Sequence, residues 1–169
     1  MANGQKPTEI LKEDHQNVLQ KLDALEDIIA QLDKKEEISA KLEELASFFK
    51  TDFWVHFIKE EEALFPEIEE FIPRDGGPTG MMLIEHKDLR DANAEFQPAV
   101  AVYLEDSDDL KTREKILEWG THFIVALRNH IAKENDILFM MADMHLDQAQ
   151  MDNVIKLFAE IEQKEGKGG

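Results

Sequence analysis

Two ten-residue segments of this chain share one pattern. His56-Phe-Ile-Lys-Glu60-Glu-Glu-Ala-Leu-Phe65 and His130-Ile-Ala-Lys-Glu134-Asn-Asp-Ile-Leu-Phe139 both read H-x-x-K-E-x-x-x-L-F. Residues four apart on a helix sit about 40° apart around its axis and about 6 Å apart along it. A His and a Glu at that spacing can reach one point beside the helix, as two ligands of one metal ion. A carboxylate can also span two ions. One such pair is a weak signal, because a surface ion pair explains it equally well. Two copies in apolar surroundings are a stronger one.

The elements that carry these pairs read as helices. Leu11, His15, Val18, Leu22, Leu25, Ile29 and Leu32 alternate steps of four and three, which is one apolar stripe. Pro7-Thr8-Glu9 supplies its start, with Thr8 as the expected N-cap. A second stripe, from about Glu36 to Phe71, carries Ile38, Leu42, Leu45, Phe49, Phe53, His56, Glu60 and Leu64. The stretch 72–80, rich in Gly and Pro, reads as a loop. A third helix is expected from near Met81, with Met82, His86, Leu89, Asn93 and Phe96 inward and Pro98 interrupting it. After a loop at 105–109, with Ser107 or an Asp as cap, the fourth stripe is Ile116, Trp119, Phe123, Leu127, His130, Glu134, Ile137 and Met141. A short fifth helix over about 147–162 and a frayed tail over 163–169 complete the chain. No strand pattern competes. The fold class is therefore all-α, an antiparallel up-down-up-down four-helix bundle with a short extra helix, in one domain over 1–169.

Six polar residues interrupt the stripes: His15, His56, Glu60, His86, His130 and Glu134. Each half of the chain has a lone His followed by His-x-x-x-Glu. His15 and His86 are 71 residues apart, and His56 and His130 are 74 apart, which reads as a duplicated helix pair. Burying a carboxylate without a partner is costly, and metal coordination offsets that cost. The two copies are read as the halves of a dinuclear metal site. Imidazole and carboxylate ligands suit iron, manganese or zinc. If both Glu residues bridge, each ion takes two His and two Glu, and an oxo or hydroxo bridge makes five ligands. That count favours iron, which accepts six, over tetrahedral structural zinc.

Composition sets the remaining bounds. The 169 residues suffice for one core, and 43% hydrophobic with 33% charged residues is an ordinary globular composition. With no cysteine, disulfides, thiolate catalysis and iron–sulfur clusters are excluded. The formal charge of −18 argues against nucleic acid and anionic membranes as partners. No apolar run is long enough to span a bilayer, and the start lacks a signal-peptide pattern, so a cytoplasmic location is expected. Glu61, Glu62, Glu67, Glu69 and Glu70 are read as solvated surface, and Lys59 and Lys133 as exposed partners of the acidic surface. The inward aromatic residues are read as ordinary core.

With these residues the chain resembles the hemerythrin-like family, the hemerythrin HHE cation-binding domain, over about residues 9–142. The resemblance rests on Glu13-Asp-His15, His56 to Pro66, Glu85-His86-Lys-Asp-Leu-Arg90 and His130 to Phe139. It implies a non-haem di-iron centre that binds O2, NO or peroxide. It also implies that His15 and His56 serve one iron, His86 and His130 the other, with Glu60 and Glu134 bridging. Oxygen-carrying members have a second His one turn after the third-helix His, where this chain has Arg90, and an Asp where it has Glu134. Those departures move the resemblance toward bacterial members, which sense oxygen, handle NO or react with peroxide. His122 is not expected to supply the missing imidazole, because it lies eight residues before His130, about 12 Å along a helix. Glu85 and Arg90 are candidates to orient ligands. The competing reading is a redox enzyme on the same centre, a peroxidase, NO reductase or oxidase, or an iron-cluster repair protein. An enzyme would need an unidentified electron donor, and without cysteine or a flavin or haem motif, ligand binding is favoured over turnover. The sequence leaves the oligomeric state open. A ferritin-type store is disfavoured, since no Glu-x-x-His lies on an inward stripe.

Overall fold

The structure, a computed structural model, describes residues 5–105 and 109–168. They form a bundle of five helices, and among them no strand occurs. Helix α1 is Pro7–Ile29. Helix α2 spans 35–68 and is built of α-helical pieces Lys35–Ser47, Phe53–Lys59 and Phe65–Ile68, joined by wide turns at Phe48–Asp52 and Glu60–Leu64. Helix α3 is Pro78–Glu105. Helix α4 spans 110–145, as Leu110–Lys133, a wide turn Glu134–Leu138 and Phe139–His145. Helix α5 is Gln148–Gly168.

Several boundaries differ from the sequence expectation for identifiable reasons. The α1 cap is Lys6, not Thr8. Pro7, with no N–H to place, occupies the first helical position, and the Glu9 carboxylate accepts the Lys6 N–H at 2.7 Å. Thr8 is buried and its hydroxyl donates to Asp143 Oδ1 at 2.6 Å, tying α1 to α4. Pro98 does not interrupt α3. It lies on the exposed face, so the carbonyl that loses its helical donor, that of the exposed Ala94, faces water. The fifth helix is not short: it has 21 residues and continues through Gly168, over most of the expected tail. Asp109 caps α4 by accepting the Thr112 N–H at 2.8 Å, whereas Ser107 lies outside the described residues. At the loop before α3, Gly76 takes φ 72°, a conformation that favours glycine.

The wide turns matter most for the site. In each of them the N–H of residue i+5 bonds back to the carbonyl of residue i: Phe53 to Phe48, Phe65 to Glu60, and Phe139 to Glu134. The last two begin on a Glu of the repeated motif. Such turns insert one extra residue into the helix and rotate every residue beyond them about its axis. As a result Ile137, expected on the inward stripe, is 52% exposed and Leu138 is buried in its place.

The buried side chains form two apolar clusters. One contains Val18 to Ile29 of α1, Leu32 just beyond it, Ile38 to Phe57 of α2, Leu89 to Tyr103 of α3 and Ile116 to Ile131 of α4. The other contains Leu11, Ala63 to Ile68, Met82, Leu138 to Ala142 and the inner face of α5. His15 on α1, Glu60 on α2, His86 on α3 and Glu134 on α4 each fall between residues of one cluster and residues of the other, and His56 and His130 lie one turn before the two Glu residues. No helix among the described residues is long and apolar enough to cross a membrane.

Candidate metal centre

The bundle brings all six stripe residues together. His15, His56, Glu60 and Glu134 form one group and Glu60, His86, His130 and Glu134 another, each with ligand atoms within 4.8 Å of one another. All six side chains are buried, with His56 the most exposed at 5%. The two carboxylates belong to both groups and divide their oxygens between them. Glu60 Oε2 lies 2.9 Å from His56 Nε2, and Glu60 Oε1 lies 3.1 Å from His86 Nε2. Glu134 Oε1 lies 3.0 Å from His15 Nε2, and Glu134 Oε2 lies 3.2 Å from His130 Nε2.

The outer ring nitrogens are all committed. His56 Nδ1 donates to Asp14 at 3.2 Å, His86 Nδ1 to Glu61 at 2.6 Å, and His130 Nδ1 to Glu85 at 2.8 Å. His15 Nδ1 donates to Asn135 Oδ1 at 2.8 Å. An ionised carboxylate only accepts, so it fixes the proton on Nδ1 and leaves Nε2 with a lone pair in the neutral ring. These Nε2 atoms face each other in pairs, His15 with His56 at 2.9 Å and His86 with His130 at 3.1 Å. Among them lie all four oxygens of Glu60 and Glu134, each buried and without a hydrogen-bond partner. Lone pairs crowded this closely require positive charge between them. The donor set therefore fits metal cations, and nitrogen and oxygen donors in this mixture fit iron, manganese or zinc.

The electrostatics agree. Burial opposes charge on His56, but the Glu60 carboxylate and the bond to Asp14 override it and raise its pKa to about 10. His86 rises to about 10 against the same burial cost, through Glu134, Glu60 and Glu61. Burial would raise Glu134, yet His130 and the other imidazoles hold it well below the usual carboxylate range. Glu61 falls to about 2, because the bonds from His86 and Arg90 outweigh its burial.

The six residues singled out in the sequence lie together in the structure, while most of the groups around them were not expected there. Glu61, expected on the solvated surface, accepts from His86 and from both Arg90 amines at 3.0 and 3.2 Å. Lys59, expected to be exposed, is 6% exposed, with its ammonium 3.0 Å from Glu162 and 3.8 Å from Asp14, because α5 covers it. Arg90 touches no imidazole and reaches His86 only through Glu61, whereas Glu85 accepts from His130. Asp14 and Asn135 have the same task without an expectation to match. The signal available was adjacency within the repeat: Asp14 precedes His15 as Glu85 precedes His86, and Asn135 follows Glu134 as Glu61 follows Glu60. His122 is apart from the groups, 46% exposed and 3.1 Å from Asp88. His145 is exposed and stacks on Phe71.

Aromatic rings close the centre. Phe57 stacks on His86 at 3.7 Å, and Phe139 stacks on His15 at 5.4 Å. A cleft of about 700 Å³ between α1, α2 and α5, lined in part by Asp14, Phe53, Lys59 and Glu162, reaches His56.

A family model described as the hemerythrin HHE cation-binding domain matches residues 6–142. Neither the curated proteins nor the solved structures contain a match to the chain.

Proposed function

From the premise that the chain belongs to the hemerythrin HHE cation-binding domain family, we propose that it is a non-haem di-iron protein. It binds O2 or a similar small ligand, NO or peroxide, for oxygen binding, sensing or detoxification. The observation that carries this reading is the set of four buried, unpartnered oxygens on Glu60 and Glu134, shared between two groups of imidazole nitrogens. His15 and His56 would hold one iron and His86 and His130 the other, with Glu60 and Glu134 within reach of both. Ferrous iron held there would supply the electrons that a small oxidant accepts.

The chain's own residues do the rest. Asp14, Glu61, Glu85 and Asn135 hold each imidazole by its outer nitrogen, so that Nε2 points inward. Phe57, Phe65 and Phe139 pack on the rings and keep bulk water out. The cleft beside His56, the most exposed of the six, is the side from which this reading has small molecules approach. The four helices run up-down-up-down. This is supported by the order in which they meet the two apolar clusters: α1 and α3 leave the α5 end, and α2 and α4 return to it.

The test is stepwise addition of O2 to anaerobic, ferrous-loaded protein, followed by optical spectra. A charge-transfer band that forms and disappears under vacuum supports reversible binding. A band that decays irreversibly to a stable ferric form would move the assignment to redox turnover of peroxide or NO. No spectral response to O2, NO or peroxide would refute the ligand-binding role.

A further inference from the structure

The groups behind the four imidazoles repeat with the pseudo-symmetry of the chain, except at one place. The residue before each lone His backs the imidazole of the following His-x-x-x-Glu: Asp14 behind His56, and Glu85 behind His130. A motif lysine stands by each of these carboxylates, Lys59 at 3.8 Å from Asp14 and Lys133 in contact with Glu85. The residue after each inner Glu backs the lone His of the other half: Glu61 behind His86, and Asn135 behind His15. Here the two halves part. Glu61 is a carboxylate held by Arg90. Its counterpart Asn135 is a neutral amide, and the position that matches Arg90, four residues after the lone His, is the partly buried Leu19. In this half the carboxylate and the cation are both absent.

We propose that Asn135 makes the two cation positions inequivalent, with the His15–His56 end the weaker. This rests on the dinuclear reading above. A carboxylate that accepts the Nδ1 proton draws it away from the ring and raises electron density at Nε2, which strengthens donation to a metal. An amide oxygen does this less, because it carries only a partial charge. The His86–His130 end has two carboxylate-backed imidazoles, and the His15–His56 end has one. The His86–His130 end loads first and releases last. Partner groups of this kind change metal affinity by about 10- to 100-fold, which sets the expected gap between the two steps.

The experiment is anaerobic titration of metal-free protein with ferrous iron against a competing chelator, together with anomalous diffraction from crystals carrying one equivalent. The wild type binds in two steps about 10- to 100-fold apart, and the one-equivalent density lies at the His86–His130 end. Asn135→Asp keeps the shape of the side chain and its acceptor, and closes most of that gap by tightening the second step. Glu61→Gln narrows it from the other side by weakening the first. Two steps of equal affinity, or first density at the His15–His56 end, would overturn the inference and leave the dinuclear reading intact. Uptake of fewer than two ions would overturn both.

Discussion

Glu60→Gln keeps the volume and most of the hydrogen-bonding shape of the side chain, and removes one charge from a buried site. In the native arrangement Glu60 Oε2 lies 2.9 Å from His56 Nε2 and Oε1 lies 3.1 Å from His86 Nε2, so the carboxylate serves both ends at once. A glutamine has one oxygen to offer, and its amide nitrogen is a donor that a cation repels. The inner charge of the centre falls from two carboxylates to one. A pair of unit charges about 4 Å apart is worth about 4 kcal/mol at an effective dielectric constant near 20. At about 1.4 kcal/mol per decade, the loss of one such interaction weakens metal binding by roughly a thousandfold, and a dication loses at least that much. The assay is anaerobic ferrous titration with chelator competition, with elemental analysis of the protein after gel filtration. Glu60→Gln emerges with little iron. His122→Ala, which alters an exposed ring beside Asp88 and Trp119, keeps the full complement in the same assay. A Glu60→Gln protein that still binds two ions within tenfold of the wild-type affinity would refute the reasoning. So would loss of an iron from His122→Ala.

Stability and pH offer three further outcomes. Pro98→Ala restores a backbone N–H on the exposed face of α3 and raises stability by about 1 kcal/mol, after the lost rigidity of the unfolded chain is set against the regained hydrogen bond; calorimetry should show Tm up by roughly 2–4 °C, and a fall would show the proline to be an adapted feature of the helix. Tyr103→Phe removes the buried hydroxyl that donates to the Leu32 carbonyl at 2.6 Å, and costs about 1 kcal/mol with iron content unchanged; a loss of iron would couple that end of the bundle to the centre. Chelated protein loses stability as pH rises from about 6.5, the unfolded value of a histidine, toward 10, the folded value of His56 and His86, because unfolding then releases protons. Denaturant melts across that range test the sign, and iron-loaded protein, whose imidazoles hold metal in place of protons, shows a smaller slope.

Much of this was legible in the residues themselves. The six candidate ligands stood out because polar groups interrupted otherwise apolar stripes at helical spacing, and because the interruption occurred twice in the same order. Boundaries were harder. Thr8 looked like a cap but is drawn inward by Asp143, a partner 135 residues away. Pro98 looked like a break but faces water, which relieves the carbonyl it orphans. Ile137 looked inward because a regular helix was assumed, and the wide turn that starts at Glu134 rotates it out. Lys59 and Glu61 looked like surface because charge usually is, and both are held by residues far off in sequence, Glu162 for one and His86 with Arg90 for the other. Local periodicity carries information about one face of one helix. Thr8, Lys59 and Glu61 were decided by what a neighbouring helix presented to that face, Pro98 by solvent, and Ile137 by a wide turn in its own helix.

On the proposed reading, six residues on four helices hold two iron ions. Anomalous diffraction at the iron edge, from crystals of protein loaded to saturation with ferrous iron, tests it most directly. Two peaks per chain are expected, one among His15, His56, Glu60 and Glu134 and the other among Glu60, His86, His130 and Glu134. A single peak, or iron bound elsewhere with Glu60 and Glu134 still unpartnered, would contradict it.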